Sequence, residues 1–415
     1  GSGTDIIRLG NDYRVGKISK NDFVESEVGM SRSIGHCNTI GTAATMGGLA
    51  EALGMSLPGT SAIPAVDSRR LTSSQLSGRR IVQMVKEGLC MSDIISPYAL
   101  ENAIKVNAAV GGSTNAILHL IALAGRLELP LTMRDVDRLS RDVPLLANLQ
   151  PNGKYLMEDF YLAGGMVALM NSMSDILNTD AFTVSGSPVG QNIENAEIYN
   201  EDVIRPISNP VNNDGGLAVL FGNLAPNGAV IKPSAASKTL MRHRGRAVIF
   251  ENIEELEERI DSPHLDVDEN SVLVLKDAGP RGYPGMSEVG NMRIPKKLLD
   301  KGITDIVRIS DGRMSGTAFG TVILHVSPES LIGGPLSLVK EGDIIEVDVD
   351  KRSIHLDVGD LELEQRQKSR ANREINQDRG YTKLFKDHVL QADKGCDFDF
   401  LVGRSGSAVP PRKGF

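Results

Sequence analysis

"DIVRISDGRMSGTAFGTVILHV", residues 305–326, sets two short β-branched runs on either side of a bridge of small and charged residues. "DIVRIS" (305–310) and "TVILHV" (321–326) have the branched aliphatic content that suits a buried, pleated surface. Six further runs of this kind lie between residues 217 and 358: "LAVLFG", "GAVIK", "RAVIF", "SVLVLK", "DIIEVDVD" and "SIHLDV". Gly, Pro and Asp turns separate them, and few helices intervene. That pattern predicts a barrel or a sandwich. One acidic helix, "NIEELEERI" (252–260), interrupts the series.

Upstream the period changes. Apolar residues at three- and four-residue spacing make the first 180 or so residues mostly helical. Helices are predicted within 39–57, 75–89, 99–127 and 155–171, the second of them amphipathic. Residues 180–216 are polar and turn-rich and read as a linker. From about 366 the chain is charged, and "LEQRQKSRANREINQ" (363–377) reads as helical. The expected class is α/β. A mainly helical domain (1–181) precedes a β-barrel-like domain (182–365) and a helical tail (366–415).

Composition narrows the function. A chain of 415 residues holds two or three domains and buries a core without needing staples. Its net charge of −8 argues against a nucleic-acid partner, which needs a basic face. No apolar run approaches the ~20 residues needed to span a bilayer. Three widely spaced cysteines, Cys37, Cys90 and Cys396, fit a reducing compartment, the cytoplasm, better than a disulfide framework. The start, Gly-Ser-Gly, runs straight into patterned sequence, so a tag scar is less expected than the later part of a larger protein.

Four stretches carry candidate chemistry. Cys37, in "SRSIGHCNTIG", precedes a small-residue helix whose N-terminus favours a thiolate, although a buried inert thiol fits the local sequence equally well. Ser113 or Thr114, in "AAVGGSTNAILHL", can cap a renewed helix, and such a terminus can receive a carboxylate or phosphate. His119, on the same helix, reads as a core histidine. Glu288, in "GPRGYPGMSEV", projects from a tight loop as Mg²⁺ ligands do, though a lone loop carboxylate is usually just solvated. Arg281 reads as a surface charge. Finally, Ser315 sits on the bridge of the opening stretch. As a base it requires nearby positive charge or metal, and Arg313 alone does not suffice.

Together these stretches resemble the dehydratase family that includes dihydroxy-acid, phosphogluconate and sugar-acid (aldonate) dehydratases. The resemblance is carried by "GHCNTIGTAATMGGLAEALGMSLPG", "VNAAVGGSTNAILHL", "NLQPNGKYLMEDFYLAGG", "GYPGMSEV" and "RISDGRMSGTAFGTVILHVSPE". Ser310 stands where the last signature usually has Thr. The resemblance implies an iron–sulfur cluster, [2Fe–2S] or alternatively [4Fe–4S], with Cys37 as one ligand. It also implies Mg²⁺ with Glu288 as one ligand, and Ser315 as an alkoxide base. Ser113, Thr114, Arg313 and Thr317 are implied substrate contacts.

The implied reaction removes water from a 2,3-dihydroxy carboxylate to give a 2-keto-3-deoxy acid. "SGTAFGTVILH" and "GKYLMEDFYLAGG" look more like the sugar-acid branch than the branched-chain amino-acid branch. A homodimer or homotetramer is implied. The family's other cluster cysteines and its Asp–Lys metal motif match nothing here, so this chain alone is expected to be inactive. A non-catalytic assembly module and a phosphate-binding protein using "GGSTN" are the competing readings.

Overall fold

All eight β-branched runs become strands in the computed structural model, which describes residues 1–31, 33–370 and 379–403. They are β1 (Ala218–Leu220), β2 (Gly228–Ile231), β3 (Arg242–Phe250), β4 (Val272–Leu275), β5 (Val307–Ser310), β6 (Val322–Ser327), β7 (Ile344–Asp348) and β8 (Ser353–Leu356). They form one sheet in the order β1-β2-β6-β5-β4-β3-β7-β8. The pairs β3/β4, β4/β5 and β5/β6 are parallel, and the flanking pairs are antiparallel. Just past β1, the Phe221 N–H donates to Arg352 O (2.9 Å) and the Ile354 N–H to Phe221 O (3.0 Å). The sheet thus nearly closes on itself, which makes it a barrel and not a sandwich, and closure protects the edges.

Side-chain alternation shows what covers each strand. β2, β4, β5 and β6 are buried at every position, whereas β7 and β8 alternate between buried and open. Inward residues such as Leu220, Ile231, Val274, Ile309 and Ile345 fill the barrel. Outward residues Val219 and Val230 pack into the helical core, while Phe250, Leu273 and Leu275 pack beneath the helices beside β3 and β4. Strands covered on both faces lose the polar alternation that β7 and β8 keep.

The helical part comprises α1 (Gly3–Arg14), α2 (Lys20–Met30), α3 (Thr42–Ala52), α4 (Ser68–Glu87), α5 (Met91–Ile94) and α6 (Pro97–Ala109). It continues with α7 (Asn115–Arg126), α8 (Met133–Ser140), α9 (Met157–Leu162), α10 (Gly165–Ser172) and α11 (Val189–Ile193). Each predicted helical stretch holds one or two of these. The acidic run becomes α12 (Ile253–Arg259), followed by α13 (Lys296–Leu299), α14 (Asp360–Ser369) and α15 (Gly380–His388). The helix expected over 363–377 is present as far as Ser369; residues 371–377, like 404–415 of the tail, lie outside the described residues.

The expected linker over 180–216 is not one. Ala181, Val189, Ile193, Val203 and Ile204 are buried in the helical core, and Asn212 and Ile204 bridge to Leu145 and Ala147. Its scattered apolar residues were enough to dock it, although they show no period to read. Among the described residues no helix is long and apolar enough to cross a membrane.

Candidate active site

β5 and β6 run parallel, so residues 311–321 must return along the strands before β6 begins. This stretch is a crossover, not the simple turn its glycines suggest. Met314 and Ala318 are its anchors, 1 % and 0 % exposed, packed with Val322 and Leu324 of β6. Ser315 and Thr317 alternate with them and remain half-buried. At the start, the buried Ser310 hydroxyl accepts from the Gly312 N–H (2.9 Å), so serine serves at that position.

The helical part holds the crossover from below. Asn115 Nδ2 donates to Met314 O (2.9 Å) and to Thr42 Oγ1 (3.0 Å). Thr42 Oγ1 in turn meets Ser113 Oγ at 2.9 Å, and Ser113 Oγ accepts from the Asn115 N–H (3.1 Å). Thr4 Oγ1 donates to Thr317 O (2.8 Å). A Cβ on Gly316 would lie 2.7 Å from Thr42 N and 2.9 Å from Gly41 Cα, both backbone. We therefore expect Gly316→Ala to lower stability by about 1–3 kcal/mol in a denaturant titration and to disable the site. An unchanged midpoint would mean that the two backbones are not in contact.

Cys37 reaches the same neighbourhood by a route its sequence does not indicate. It lies upstream of α3, and its exposed Sγ instead accepts from the Gly3 N–H in the first turn of α1 (3.1 Å). Thr39 Oγ1 is 3.2 Å from the same sulfur. A Cβ on Gly3 would touch the Thr317 side chain at 3.1 Å, and Thr317 Oγ1 lies 3.0 Å from Ser315 Oγ. Contacts therefore run from Cys37 through Gly3 and Thr317 to Ser315. The thiol opens onto a cleft of about 620 Å³ walled by Met30, His36, Ile63, Arg70 and Glu158.

Glu288 joins from the other side as half of an ion pair. Its Oε1 lies 2.8 Å from Arg313 Nη2, both side chains being partly exposed. The sequence reading has Glu288 as a metal ligand and Arg313 as a substrate contact; the structure puts them face to face as an ion pair. Ser113 and Thr114, expected substrate contacts, are 0 % and 1 % exposed, so their hydroxyls lie under the crossover and not on an open wall. His119 is a correction: it is not a core histidine but lies on the exposed face of α7, lining an open cavity of about 510 Å³ with Arg126, Arg313 and Cys396. Arg281 does more than carry surface charge, since its Nε donates to Val389 O (3.4 Å).

Among the described residues no histidine hydrogen-bonds Ser315, whose oxygen meets Thr317. His325 is fully buried, neither ring nitrogen has a partner, and burial with the charge of Arg313 pushes its pKa down to about 3. Burial, followed by neighbouring Glu329 and Asp393, pushes the Cys396 thiol upward, which keeps it protonated and a poor metal ligand. Asp311 is a support that the sequence does not reveal. Its buried carboxylate accepts from Ala278 N (3.0 Å), Ser330 N (2.7 Å) and Ser330 Oγ (2.7 Å), while burial and then Glu329 push it up to about 7.

A cluster or metal ion is a poor match to the described residues alone. A cluster takes several thiolates, whereas this site offers one exposed thiol and one carboxylate already paired to an arginine. Among the described residues no three of His, Cys, Asp and Glu gather as a metal site.

Comparison with known proteins places these features in a family. Residues 3–192 match the dihydroxy-acid/6-phosphogluconate dehydratase N-terminal model, and residues 202–396 match the C-terminal one. The chain is 52 % identical over 414 residues to an L-arabinonate dehydratase from Rhizobium leguminosarum bv. trifolii (strain WSM2304), covering 99 % of this chain and 71 % of that protein. It is 52 % identical over 419 residues to an L-arabonate dehydratase from Azospirillum brasilense, covering 99 % and 72 %. A dihydroxy-acid dehydratase from Caldicellulosiruptor saccharolyticus (strain ATCC 43494 / DSM 8903 / Tp8T 6331) is 40 % identical over 387 residues, covering 92 % and 69 %. The resemblance read from the sequence therefore holds, and this chain belongs to the dihydroxy-acid/6-phosphogluconate dehydratase family of hydro-lyases.

Proposed function

We propose that this chain carries the proton-abstracting part of a hydro-lyase acting on a sugar acid, a 2,3-dihydroxy carboxylate. The observation that carries the reading is Ser315, held half-open on a crossover whose flanking residues are buried. Ser315 Oγ, as the alkoxide, takes the proton from C2. The C2–H electron pair becomes the C2=C3 bond, the C3–O bond breaks, and the departing hydroxyl leaves as water after gaining a proton. The resulting enol tautomerises to the 2-keto-3-deoxy acid.

An alcohol is too weak a base at neutral pH unless positive charge lies beside it. Arg313, two residues along the crossover, is the nearest cation in sequence, and its guanidinium is paired with Glu288. Thr317 Oγ1 holds the serine oxygen in place. An iron–sulfur cluster, [2Fe–2S] or [4Fe–4S], and Mg²⁺ are the proposed cofactors, with Cys37 and Glu288 giving one ligand each. The remaining donors are not among the described residues, so residues 1–415 alone are expected to be inactive. The names of the 52 %-identical relatives favour a sugar acid over a branched dihydroxy acid. A cytoplasmic homodimer or homotetramer completes the reading.

The test is an assay of keto-acid formation by the protein expressed from its complete reading frame, on a panel of pentonates, hexonates and branched dihydroxy acids. Turnover of an aldonate is expected; turnover of the branched acids alone, or of nothing, would overturn the reading. In the same protein, Cys37→Ser is expected to remove most of the bound iron and sulfide while leaving the thermal midpoint in place. Iron and sulfide at the wild-type level would rule out Cys37 as a ligand.

A further inference from the structure

Glu329, just past β6, is 1 % exposed and takes no part in the proposed reaction. Its carboxylate reaches back into the loop that carries Glu288. Oε2 accepts from the Arg281 N–H (2.9 Å) and the Gly282 N–H (2.9 Å), and Oε1 accepts from Gln391 Nε2 (2.6 Å). The Glu329 N–H in turn donates to Gln391 Oε1 (2.9 Å), so Gln391 grips both its backbone and its side chain. A Cβ on Gly279 would lie 2.5 Å from Glu329 Oε2, so the loop wraps closely around the carboxylate. At the other end of the loop, the Gly290 N–H donates to Arg313 O on the crossover (2.8 Å). Ser287 and Glu288, both exposed, lie between these two moorings. Gln391 is itself anchored, since Asp397 accepts from Arg126 Nε (2.7 Å) and Nη2 (2.8 Å) on α7, and Asp393 accepts from Ser327 Oγ (2.6 Å) at the end of β6. α7 begins at Asn115, which holds Met314 O. The contacts therefore form a ring, from the crossover through α7, Gln391, Glu329 and the Glu288 loop back to the crossover.

We propose that Glu329, gripped by Gln391, is the positioning residue that sets the Glu288 loop against the crossover bearing Ser315. This role rests on the reaction proposed above. Loop N–H groups turned inward need acceptors, and a bond to an ionised acceptor is roughly twice as strong as a neutral one. A carboxylate offers two acceptor oxygens, which lets one side chain serve the loop and Gln391 together. Burial pushes the Glu329 pKa up, while the bonds from Gln391, Gly282 and Arg281 act the other way. An amide at this position has a single acceptor oxygen. Turned either way, its NH2 faces a donor, either Gln391 Nε2 or the N–H groups of Arg281 and Gly282. Loosening that end of the loop displaces Glu288 from the crossover, and a displacement of about 1 Å costs on the order of 100-fold in rate.

The pairing gives a reciprocal test in the protein expressed from its complete reading frame. Glu329→Gln is expected to speed amide hydrogen exchange over residues 279–290 at least ~10-fold and to lower kcat/KM on an aldonate about 100-fold, with exchange in the other barrel strands unchanged. Adding Gln391→Glu restores the complement. The new amide oxygen takes the loop N–H groups, its NH2 donates to the new carboxylate, and that carboxylate still accepts from the backbone N–H at 329. The double variant is expected to return exchange and rate to within about 5-fold of wild type. Gln391→Ala, at a partly exposed position, is expected to loosen the same loop and decides the matter if Glu329→Gln does not fold. Wild-type exchange over 279–290 in the single variants would overturn the proposal, as would a double variant whose loop stays loose. Exchange restored without the rate would also overturn it, since the loop would then be held without positioning the reaction. A wild-type protein that turns over no acid would remove the reaction and the positioning role with it, while the exchange data would still report the clamp.

Discussion

Replacing Ser315 with alanine is expected to lower keto-acid formation about 10³-fold while changing stability by less than about 1 kcal/mol. The two effects separate because of how the side chain is held. Its oxygen has one side-chain partner, Thr317 Oγ1 at 3.0 Å, and also accepts weakly from the Thr317 N–H at 3.5 Å. The crossover itself is fixed by Met314, Ala318 and Asn115, which the substitution leaves in place. The measurement is the initial rate on an aldonate with the protein from its complete reading frame, alongside a denaturation curve. Thr317→Val gives the control: it removes the hydroxyl that positions Ser315, and a smaller loss is expected. A Ser315→Ala protein with the wild-type rate would remove the base from the mechanism.

A second large effect is expected at Lys232. This side chain is 2 % exposed, one residue past β2, and among the described residues its Nζ has no hydrogen-bond partner. Val230, two residues earlier in β2, packs into the helical core. Burial pushes its pKa down to about 7. The unfolded chain holds that proton up to about pH 10.4. Folding therefore releases a proton between about pH 7 and 10.4, and stability should rise with pH across that window.

Below about pH 7 the cost is constant and on the order of 3–5 kcal/mol. Lys232→Met, of similar length, should recover much of it at pH 6 and progressively less toward pH 10. Denaturant titrations of both proteins at several pH values measure the difference. Parallel stability curves would mean that the ammonium is paired in solution and carries no penalty.

Each of the eight strands was legible because branched aliphatic runs between turn formers leave few alternatives to a strand. The helical half was legible for the matching reason, a three- and four-residue apolar period. Barrel closure was not legible, because it depends on Phe221 meeting Arg352 and Ile354, residues more than a hundred positions away. The docking of 181–204 was missed because its apolar residues have no period, and its polar ones resemble a loop. For the site, local motifs singled out Ser315, Cys37 and Glu288. They gave no sign that the thiol lies at the start of α1 or that the carboxylate is paired with Arg313. Asn115 stood in the quoted "GGSTN", yet its role as the tie to Met314 appears only once α7 meets the crossover.

By itself, then, the sequence determined the eight strands, several of the helices, the family, and a short set of candidate groups. The elements and candidate groups rest on chemistry between residues near in the chain, and the family on a resemblance carried by the quoted motifs. Tertiary structure alone decided that β5 and β6 are parallel, which turns a glycine-rich bridge into a crossover and lifts Ser315 onto its surface. It also decided which candidates touch, because contact across hundreds of residues follows from how two hydrophobic cores pack, and no local pattern encodes that.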